Sequence, residues 1–260
     1  MNKEAADKPD RYIIQSIDKA LTLIELLAER GSLSLIELTE LLEQPKSSTY
    51  RIILTLQNRG FIARDDEDGK YCLGYKQLML TRDLLERNTL RAAAMAEMKR
   101  LSEQYGDTVN LGVLIDGEVL YVDIIESLHP LRMTDTIGSR APFHATAMGK
   151  AICAGMSDDE AELLARQYGL AACTDNTITS WPLLREELES VRQHGYALDD
   201  QEIVEGARCV AAPIYNMYGK VEGAVSLSGA MHRFADDKLP AITEQVKQAA
   251  AAVSRKLGYR

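Results

Sequence analysis

Basic and hydroxyl-bearing side chains are concentrated between residues 44 and 64. This segment contains four basic residues and no acidic one, in a chain that carries 39 acidic and 30 basic residues. Lysine, arginine, serine and tyrosine at the start of a helix contact phosphates and base edges when that end of the helix enters the major groove of DNA. The local reversal of charge therefore predicts a DNA-binding helix. Its candidate contact residues are Lys46, Ser47, Ser48, Tyr50 and Arg51.

A second group of small or polar side chains occurs where apolar ones are expected. Ser226 and Ser228 alternate with apolar residues, so their hydroxyls share one face of a predicted strand. A helix predicted to begin at Ala147 and Met148 offers free amides and the positive end of its dipole to an anion. Taken singly, each side chain is more simply explained as a loop cap or a solvent-facing group. Together they predict a pocket for a small carboxylate, formed by Ala147, Met148, Asp199, Cys209, Ser226 and Ser228.

The sequence lacks the patterns of the common catalytic and metal sites. Residues 148–151 (MGKA) have neither the upstream glycine of a phosphate loop nor the serine or threonine that would hold magnesium. The four cysteines and four histidines are not spaced as zinc ligands, so we predict neither a metal nor a cofactor. The enzymatic alternative is Cys209 as a nucleophile with His144 or His232 as its base, in an enzyme fused to a DNA-binding domain. We predict that the protein is not an enzyme.

The residues around the candidate DNA-binding helix predict a winged helix-turn-helix. Ser34 and Glu37 form a capping box that opens a short helix, and only a few residues separate this helix from the next. The Asp-Gly pair at 68–69 is a turn signal between two short strands, which would form the wing. A helix over 17–30, with Ser16 as its N-cap, completes the core. The alternative for this order of elements is a winged-helix module that binds protein.

The downstream residues predict a linker helix followed by an α+β domain. Residues 75–91 lack glycine and proline but have too many apolar side chains for a solvated spacer, so we expect this helix to pack on a partner subunit. Strand pairs around 116–117 and 216–219, with a further strand at 131–137, outnumber strand–helix–strand crossovers. An antiparallel sheet is therefore expected. The apolar linker residues are Leu78, Met79, Leu80, Leu84 and Leu85.

Length and composition restrict the class of protein. A chain of 260 residues is long for one small domain, and we expect two. A net charge of −9 argues against general coating of nucleic acid or of a membrane surface, so any DNA contact has to come from a local patch. The sequence has no apolar run of signal-peptide length, and none approaches the roughly 20 residues that span a membrane. We expect a cytoplasmic protein.

Five segments resemble the IclR family of bacterial transcription regulators, and the resemblance extends over residues 15–258. It implies an N-terminal winged helix-turn-helix domain at 11–74, a linker helix at 75–91, and a C-terminal effector domain with a GAF-like fold at 92–260. It also implies a double-stranded DNA operator, a small organic acid as effector, and homodimers that often pair into tetramers. The matching segments are 45–51 (PKSSTYR), 70–74 (KYCLG), 137–151 (IGSRAPFHATAMGKA), 195–202 (GYALDDQE) and 206–213 (GARCVAAP).

The resemblance also assigns roles to individual residues. The family's effector contacts match the six pocket residues named above, with Met133 in an apolar wall. The chain is most similar to regulators of sugar-acid catabolism, including the 2-keto-3-deoxygluconate repressors, partly through residues 177–180 (TITS). We therefore expect a repressor of carbohydrate or sugar-acid genes; the alternative is an aromatic-acid effector, as in other branches. The chain departs from the family pattern at Thr49, where valine or a similar residue is usual, and carries Met148 where smaller residues also occur.

Overall fold

The computed structural model describes residues 13–65, 67–87, 89–130, 133 and 135–260. The chain divides into two units, Met1–Arg87 and Asn88–Arg260. The first unit has one cluster of buried apolar residues, and the second has two. None of the described helices is long and apolar enough to cross a membrane.

The described part of the first unit consists of four helices and a two-stranded hairpin. Their bounds are α1 Gln15–Arg30, α2 Leu35–Leu41, α3 Lys46–Asn58, β1 Ile62–Arg64, β2 Tyr71–Leu73 and α4 Lys76–Arg87. The helix α1 is capped by the backbone of Ile14 without a side-chain hydrogen bond, so the prediction of Ser16 as its N-cap is wrong. Assigned helix ends vary by one or two residues, and a lone serine near a helix start is a weak signal for its first residue.

The helix-turn-helix is formed as the sequence predicts. The Ser34 amide donates to Glu37 Oε2 over 2.7 Å, and the Glu37 amide donates to Ser34 Oγ over 3.3 Å, which completes the capping box of α2. The helix α3 buries Thr49, Ile53 and Leu56 on its inner face. The strands β1 and β2 pair antiparallel after it, as the wing requires.

A close backbone approach joins the end of α3 to the beginning of α4. Gly60 follows α3 with a positive φ of 77°, and the Lys76 amide donates to its carbonyl oxygen over 3.2 Å. The Gly74 amide donates to Phe61 O over 2.8 Å. A Cβ atom on Gly74 would lie 2.3 Å from Gly60 O, so only glycine fits at position 74.

The predicted linker helix over 75–91 falls on α4, which begins at Lys76. The described helical residues run to Arg87 and resume at Thr89, and residue 88 lies outside the described residues, so the end of the linker helix stays a prediction. Tyr75, Leu78, Met79 and Leu80 are exposed in the chain, whereas the side chains of the other two predicted apolar residues, Leu84 and Leu85, lie outside the described ones.

The described strands of the second unit form one antiparallel sheet. Its strand order is β5-β4-β3-β8-β7-β6, so the N-terminal hairpin and the C-terminal hairpin meet at the centre through β3 and β8. The bounds are α5 Thr89–Tyr105, β3 Thr108–Ile115, β4 Glu118–Ile125, β5 Arg140–Pro142, α6 Ala147–Ala154, α7 Asp158–Tyr168, α8 Trp181–His194, β6 Ala197–Asp200, β7 Ala207–Tyr215, β8 Val221–Ala230, a 3-10 turn Met231–Phe234 and α9 Leu239–Lys256. The predicted α+β class with an antiparallel sheet is confirmed.

Both faces of this sheet are covered by helices. On one face α5 and α9 bury alternate strand residues such as Val210 and Ala212. On the other face α6 packs over Cys209 and Ala211, and α8 and α7 extend the same apolar cluster beyond it. Alternation of side chains along a strand therefore places the polar residues of the predicted pocket under α6.

The strand predicted at 131–137 does not form in the described residues. Positions 133 and 135–137 lie outside any strand, and 131, 132 and 134 lie outside the described residues. The edge strand is instead β5, which pairs with β4 and ends at Pro142. Proline donates no ladder hydrogen bond, so a strand that contains it belongs at a sheet edge.

Candidate functional site

The helix α3 presents the candidate DNA-binding side chains on its outer face. Lys46, Ser47, Tyr50 and Arg51 are exposed, and Ser48 is half-buried. Thr49, between them, is fully buried, and its hydroxyl donates to the Pro45 carbonyl over 3.4 Å. Thr49 therefore serves the core, and its hydroxyl is satisfied within the helix. Contact of the five candidates with DNA stays a prediction.

Arg64, in the wing, is one of the four basic residues of segment 44–64, but it is not among the predicted DNA contacts. Arg64 Nε donates to the Gly69 carbonyl over 3.1 Å, and the guanidinium lies 5.8 Å from the centroid of the Tyr71 ring. Both contacts keep this cation at the base of the wing.

A cavity in the second unit brings all seven predicted effector residues together. Its volume is about 40 Å3, which is room for a few ordered waters. A larger ligand has to displace part of the wall. The lining residues are Asn110, Tyr121, Met133, Asp135, Ala141, Thr146, Ala147, Met148, Asp199, Ile203, Cys209, Ser226 and Ser228. That the seven bind an effector stays a prediction.

The serine pair lies on β8 opposite a buried asparagine of β3. Ser226 is the register partner of Asn110 in the β3–β8 ladder. Asn110 Nδ2 donates to Ser226 Oγ over 3.2 Å and to Ser228 Oγ over 3.1 Å. Asn110 Oδ1 is buried and has no partner among the described residues. The three side chains form a polar row on the cavity side of the sheet.

Asp199 is a buried carboxyl whose environment disfavours its charge. Burial raises the pKa of Asp199 to about 6, against the opposing effects of the Glu202 amide, which donates to Oδ1 over 2.8 Å, and of the charge on Lys150. Its register partner on β7 is Cys209. Burial also raises the pKa of the Cys209 thiol well above its usual range, which disfavours the thiolate that a nucleophile requires.

A phenol and a second carboxyl complete the polar wall. Tyr121 is hydrogen-bonded to the carboxylate of Asp135. Burial raises the pKa of Tyr121 and of Asp135, so the phenol keeps its proton at neutral pH. The cavity thus carries hydroxyl, thiol and carboxyl groups for which the neutral form is favoured by burial.

The helix α6 begins at the cavity. Thr146 is its N-cap, and the Thr146 Oγ1 atom accepts from the Gly149 amide over 3.1 Å. Ala147 and Met148 are the first two helical residues, whose amides have no intrahelical acceptor. A Cβ atom on Gly149 would lie 2.0 Å from Phe143 O, so this glycine lets the helix start press against the preceding turn. The geometry suits an anion at the helix start.

A buried ion pair lies behind the helix start. The Lys150 ammonium is 1% exposed, contacts the Glu202 carboxylate, and lies 3.2 Å from Glu187 Oε1. Burial raises the pKa of Glu202 to about 7, although Lys150 acts against this shift. Thr177 Oγ1 donates to the Glu202 carbonyl over 2.6 Å and fixes this segment. Lys150 is therefore a structural cation, and not the lysine of a phosphate loop.

Sequence reasoning missed six lining residues. They are polar or apolar side chains in the middle of strands or in connecting segments, where nothing local marks them as part of a cavity. The signal that exists is Asn110 itself, a buried amide in a largely apolar strand. The missed residues are Asn110, Tyr121, Asp135, Ala141, Ile203 and the helix cap Thr146.

A winged helix-turn-helix joined to an α+β unit with a polar internal cavity defines a class of DNA-binding regulators that carry an effector-binding domain. The chain belongs to the IclR family of this class. Residues 16–66 match the IclR helix-turn-helix domain, and residues 82–255 match the C-terminal domain of the bacterial transcriptional regulator IclR. Because the family is one of transcriptional regulators, the chain is a regulator and not an enzyme.

Known relatives extend over nearly the whole chain. It is 34% identical to the transcriptional repressor IclR of Escherichia coli strain K12, over 97% of this chain and 93% of that protein. It is 31% identical to the HTH-type transcriptional regulator KdgR of the same organism, over 99% and 97%. The crystal structure of Thermotoga maritima IclR superimposes with a TM-score of 0.80 at 30% identity, over 95% of this chain and all of that one.

Proposed function

We propose that this protein is a ligand-responsive repressor of carbohydrate or sugar-acid catabolism genes, and that a small organic acid in the described cavity changes its affinity for a DNA operator. One observation supports this most: seven residues chosen from the sequence as effector contacts line a single buried cavity. The helix start at Ala147 supplies the electrostatics for a carboxylate, and the serine hydroxyls are suited to donate to it. The protein would act in the cytoplasm as a homodimer or a pair of dimers.

A ligand panel tests the effector part. Sugar acids and aromatic acids are added singly to the full chain in a thermal-shift assay, because a ligand that binds the native state raises the melting temperature by mass action. Every hit is then added to a gel shift with operator DNA. A hit that changes operator affinity supports the proposal, whereas binding of aromatic acids alone replaces the sugar-acid assignment with its alternative.

Variants in the cavity separate the two activities. Ser226→Ala and Asp199→Ala should abolish the response to the hit while the ligand-free operator affinity stays near that of the wild type. The reason is that the candidate DNA contacts lie in the other unit, and that removal of one buried polar partner leaves the other unsatisfied. Wild-type affinity for the hit in both variants would mean that the effector binds elsewhere.

The recognition part is tested on the exposed face of α3. Arg51→Ala should weaken operator binding by about 1–3 kcal/mol if Arg51 contacts a base edge, with a smaller effect on random DNA. Lys46→Ala is the matched control for a phosphate contact and should weaken binding to both DNAs about equally. Unchanged affinity of Arg51→Ala for operator and random DNA would remove Arg51 from the interface.

A further inference from the structure

A buried carboxylate of β4 forms an ion pair with the first turn of α5. Asp123 is 4% exposed, and its Oδ2 atom lies 2.7 Å from Arg91 Nε, while its Oδ1 atom accepts from the Ile124 amide over 3.0 Å. Arg91 is the third residue of α5. A buried carboxylate that loses its cation is strongly unfavourable. The pair therefore fixes this turn of α5 to the sheet.

A β-bulge in β4 determines which side of the sheet Asp123 faces. Leu111 of β3 pairs with Asp123, and the next residue, Gly112, pairs with Tyr121, so Val122 is the extra residue. On a regular strand, side chains two residues apart share a face, which would put Asp123 on the cavity side with Tyr121. The bulge shifts this alternation by one residue. Asp123 therefore shares the face of its partner Leu111, which packs in the same apolar cluster as α5.

Residues 121–123 thus face the cavity on one side of the sheet and α5 on the other. Tyr121 lines the cavity and is 6% exposed. At its register partner Gly112, an added Cβ atom would lie 3.1 Å from the Met148 sulfur, so the wall is tightly packed here. Because the cavity volume is only about 40 Å3, a ligand larger than a few waters has to displace part of the wall. A close-packed interior passes a displacement of Tyr121 along the strand to Asp123.

We propose that Arg91 and Asp123 are positioning residues that transmit ligand binding in the cavity to the beginning of α5. Arg91 lies four residues after Arg87, which is the last residue of α4 and of the first unit. The first turn of α5 is therefore next in the chain to the segment that connects the two units. This inference rests on the proposed function, that an acid in the cavity changes operator affinity, and adds the residues through which it does so.

Asp123→Asn tests the transmission in the full chain. Asparagine keeps the shape and removes the charge, and Arg91 has 31% of its side chain exposed, so its cation stays hydrated. The dissociation constant of operator DNA is measured with and without gluconate, pyruvate or benzoate, and calorimetry gives the affinity for the same acid. One of these acids should change the operator affinity of the wild type by about fivefold or more, and that of the variant by less than about twofold.

Binding of the acid itself distinguishes transmission from a merely structural role. Neither Arg91 nor Asp123 lines the cavity, so Asp123→Asn should bind the acid within about threefold of the wild type. Linkage requires the reverse effect as well: operator DNA should change the affinity for the acid in the wild type, and this change should be absent in the variant. Arg91→Lys keeps the charge and should retain part of the response.

Asp107→Asn is the matched control. Asp107 lies two residues beyond the other end of α5, and its Oδ1 atom is 2.7 Å from Arg233 Nε. The side chains of this pair are 5% and 31% exposed, against 6% and 31% for Asp123 and Arg91. Asp107 does not line the cavity either. Its substitution removes an equally buried charge and should leave the response to the acid unchanged.

The outcomes separate this inference from the proposed function. A wild-type response in Asp123→Asn, a loss of acid binding in this variant, or an equal loss of response in Asp107→Asn overturns the role of the ion pair and leaves the proposed function standing. If Asp123→Asn fails to fold, the double variant with Arg91→Gln removes both charges and decides in the same way. No change of wild-type operator affinity with these three acids or with the wider panel overturns both.

Discussion

At the scale of single residues, the buried ionisable side chains of the cavity wall are unfavourable for stability, and this cost requires a functional reason. Asp199, Tyr121, Asp135 and Cys209 are all shifted by burial toward their neutral forms. A fold that needed only stability would place apolar side chains at these positions. Their presence at a cost to stability indicates a site kept polar for function.

Asp199→Asn should stabilise the second unit at neutral pH. The pKa of Asp199 is about 6 when folded and near 3.8 when unfolded, so between these values the folded state binds more protons and stability falls as pH rises. The variant removes this penalty and keeps an oxygen that accepts from the Glu202 amide. Its advantage in unfolding free energy over the wild type should grow from pH 4 to pH 6.5 by about 2–3 kcal/mol.

Fluorescence of Trp181 is the measurement. It is the only tryptophan of the chain and packs against the core of the second unit, so denaturant titrations at several pH values report this unit. Asp159→Asn, an exposed residue of α7, is the control and should show no such growth. A difference between Asp199→Asn and wild type that is independent of pH would contradict the raised pKa.

At the scale of elements, α6 limits the volume of the cavity. All its residues are buried, and the sulfur of Met148 lies close to Gly112 of β3. Met148 therefore fills space between the helix and the sheet that a ligand could use. The small volume of the cavity follows partly from this side chain.

Met148→Ala should shift the preference of the cavity toward larger acids. Truncation of a buried methionine costs about 2–5 kcal/mol of stability but leaves space that a longer ligand can fill. Ile152→Ala is the matched control, since Ile152 is equally buried on α6 but does not line the cavity. Both variants should have a lower melting temperature. Only Met148→Ala should bind a six-carbon sugar acid such as gluconate better relative to a three-carbon acid such as lactate. The same change of preference in both would assign it to general loosening of α6.

Local signals predicted most of these elements, and long-range pairing explains what they missed. The capping box at Ser34 and the turn at 68–69 depend on neighbouring residues, so the sequence reveals them directly. The role of Asn110 depends on its register with Ser226, which is more than a hundred residues away in the chain. The strand β5 has three residues and is too short for a periodic pattern. The site was therefore predictable where its residues resemble a known family, and Asn110 emerged only from the paired strands.

At the scale of the whole molecule, the exposed residues of α4 predict an assembly. Leu78, Met79 and Leu80 are each more than half exposed in the isolated chain. A single helix-turn-helix covers only one half-site, so a regulator of this class needs a second copy to read a full operator. An exposed apolar surface of this kind favours association.

The full chain should sediment as a dimer or larger at micromolar concentration, and Leu78→Glu should weaken the association by placing a charge in an apolar contact. Leu183→Glu is the control, because Leu183 is similarly exposed but lies on α8 of the second unit. Its dimer should form as in the wild type. A wild-type monomer at this concentration would refute the prediction.

The contact between Gly60 and Gly74 makes the end of α3 and the beginning of α4 a single joint. It leaves no room for even a methyl group, so α4 cannot roll at this end without carrying the C-terminal end of α3 with it. In mechanical terms α4 is a lever of about 18 Å whose fulcrum touches the helix that carries Arg51. We therefore expect a small tilt of α4 to change the orientation of α3. Two such levers in a dimer would set the separation of the two α3 helices, and with it the spacing of half-sites that the protein tolerates.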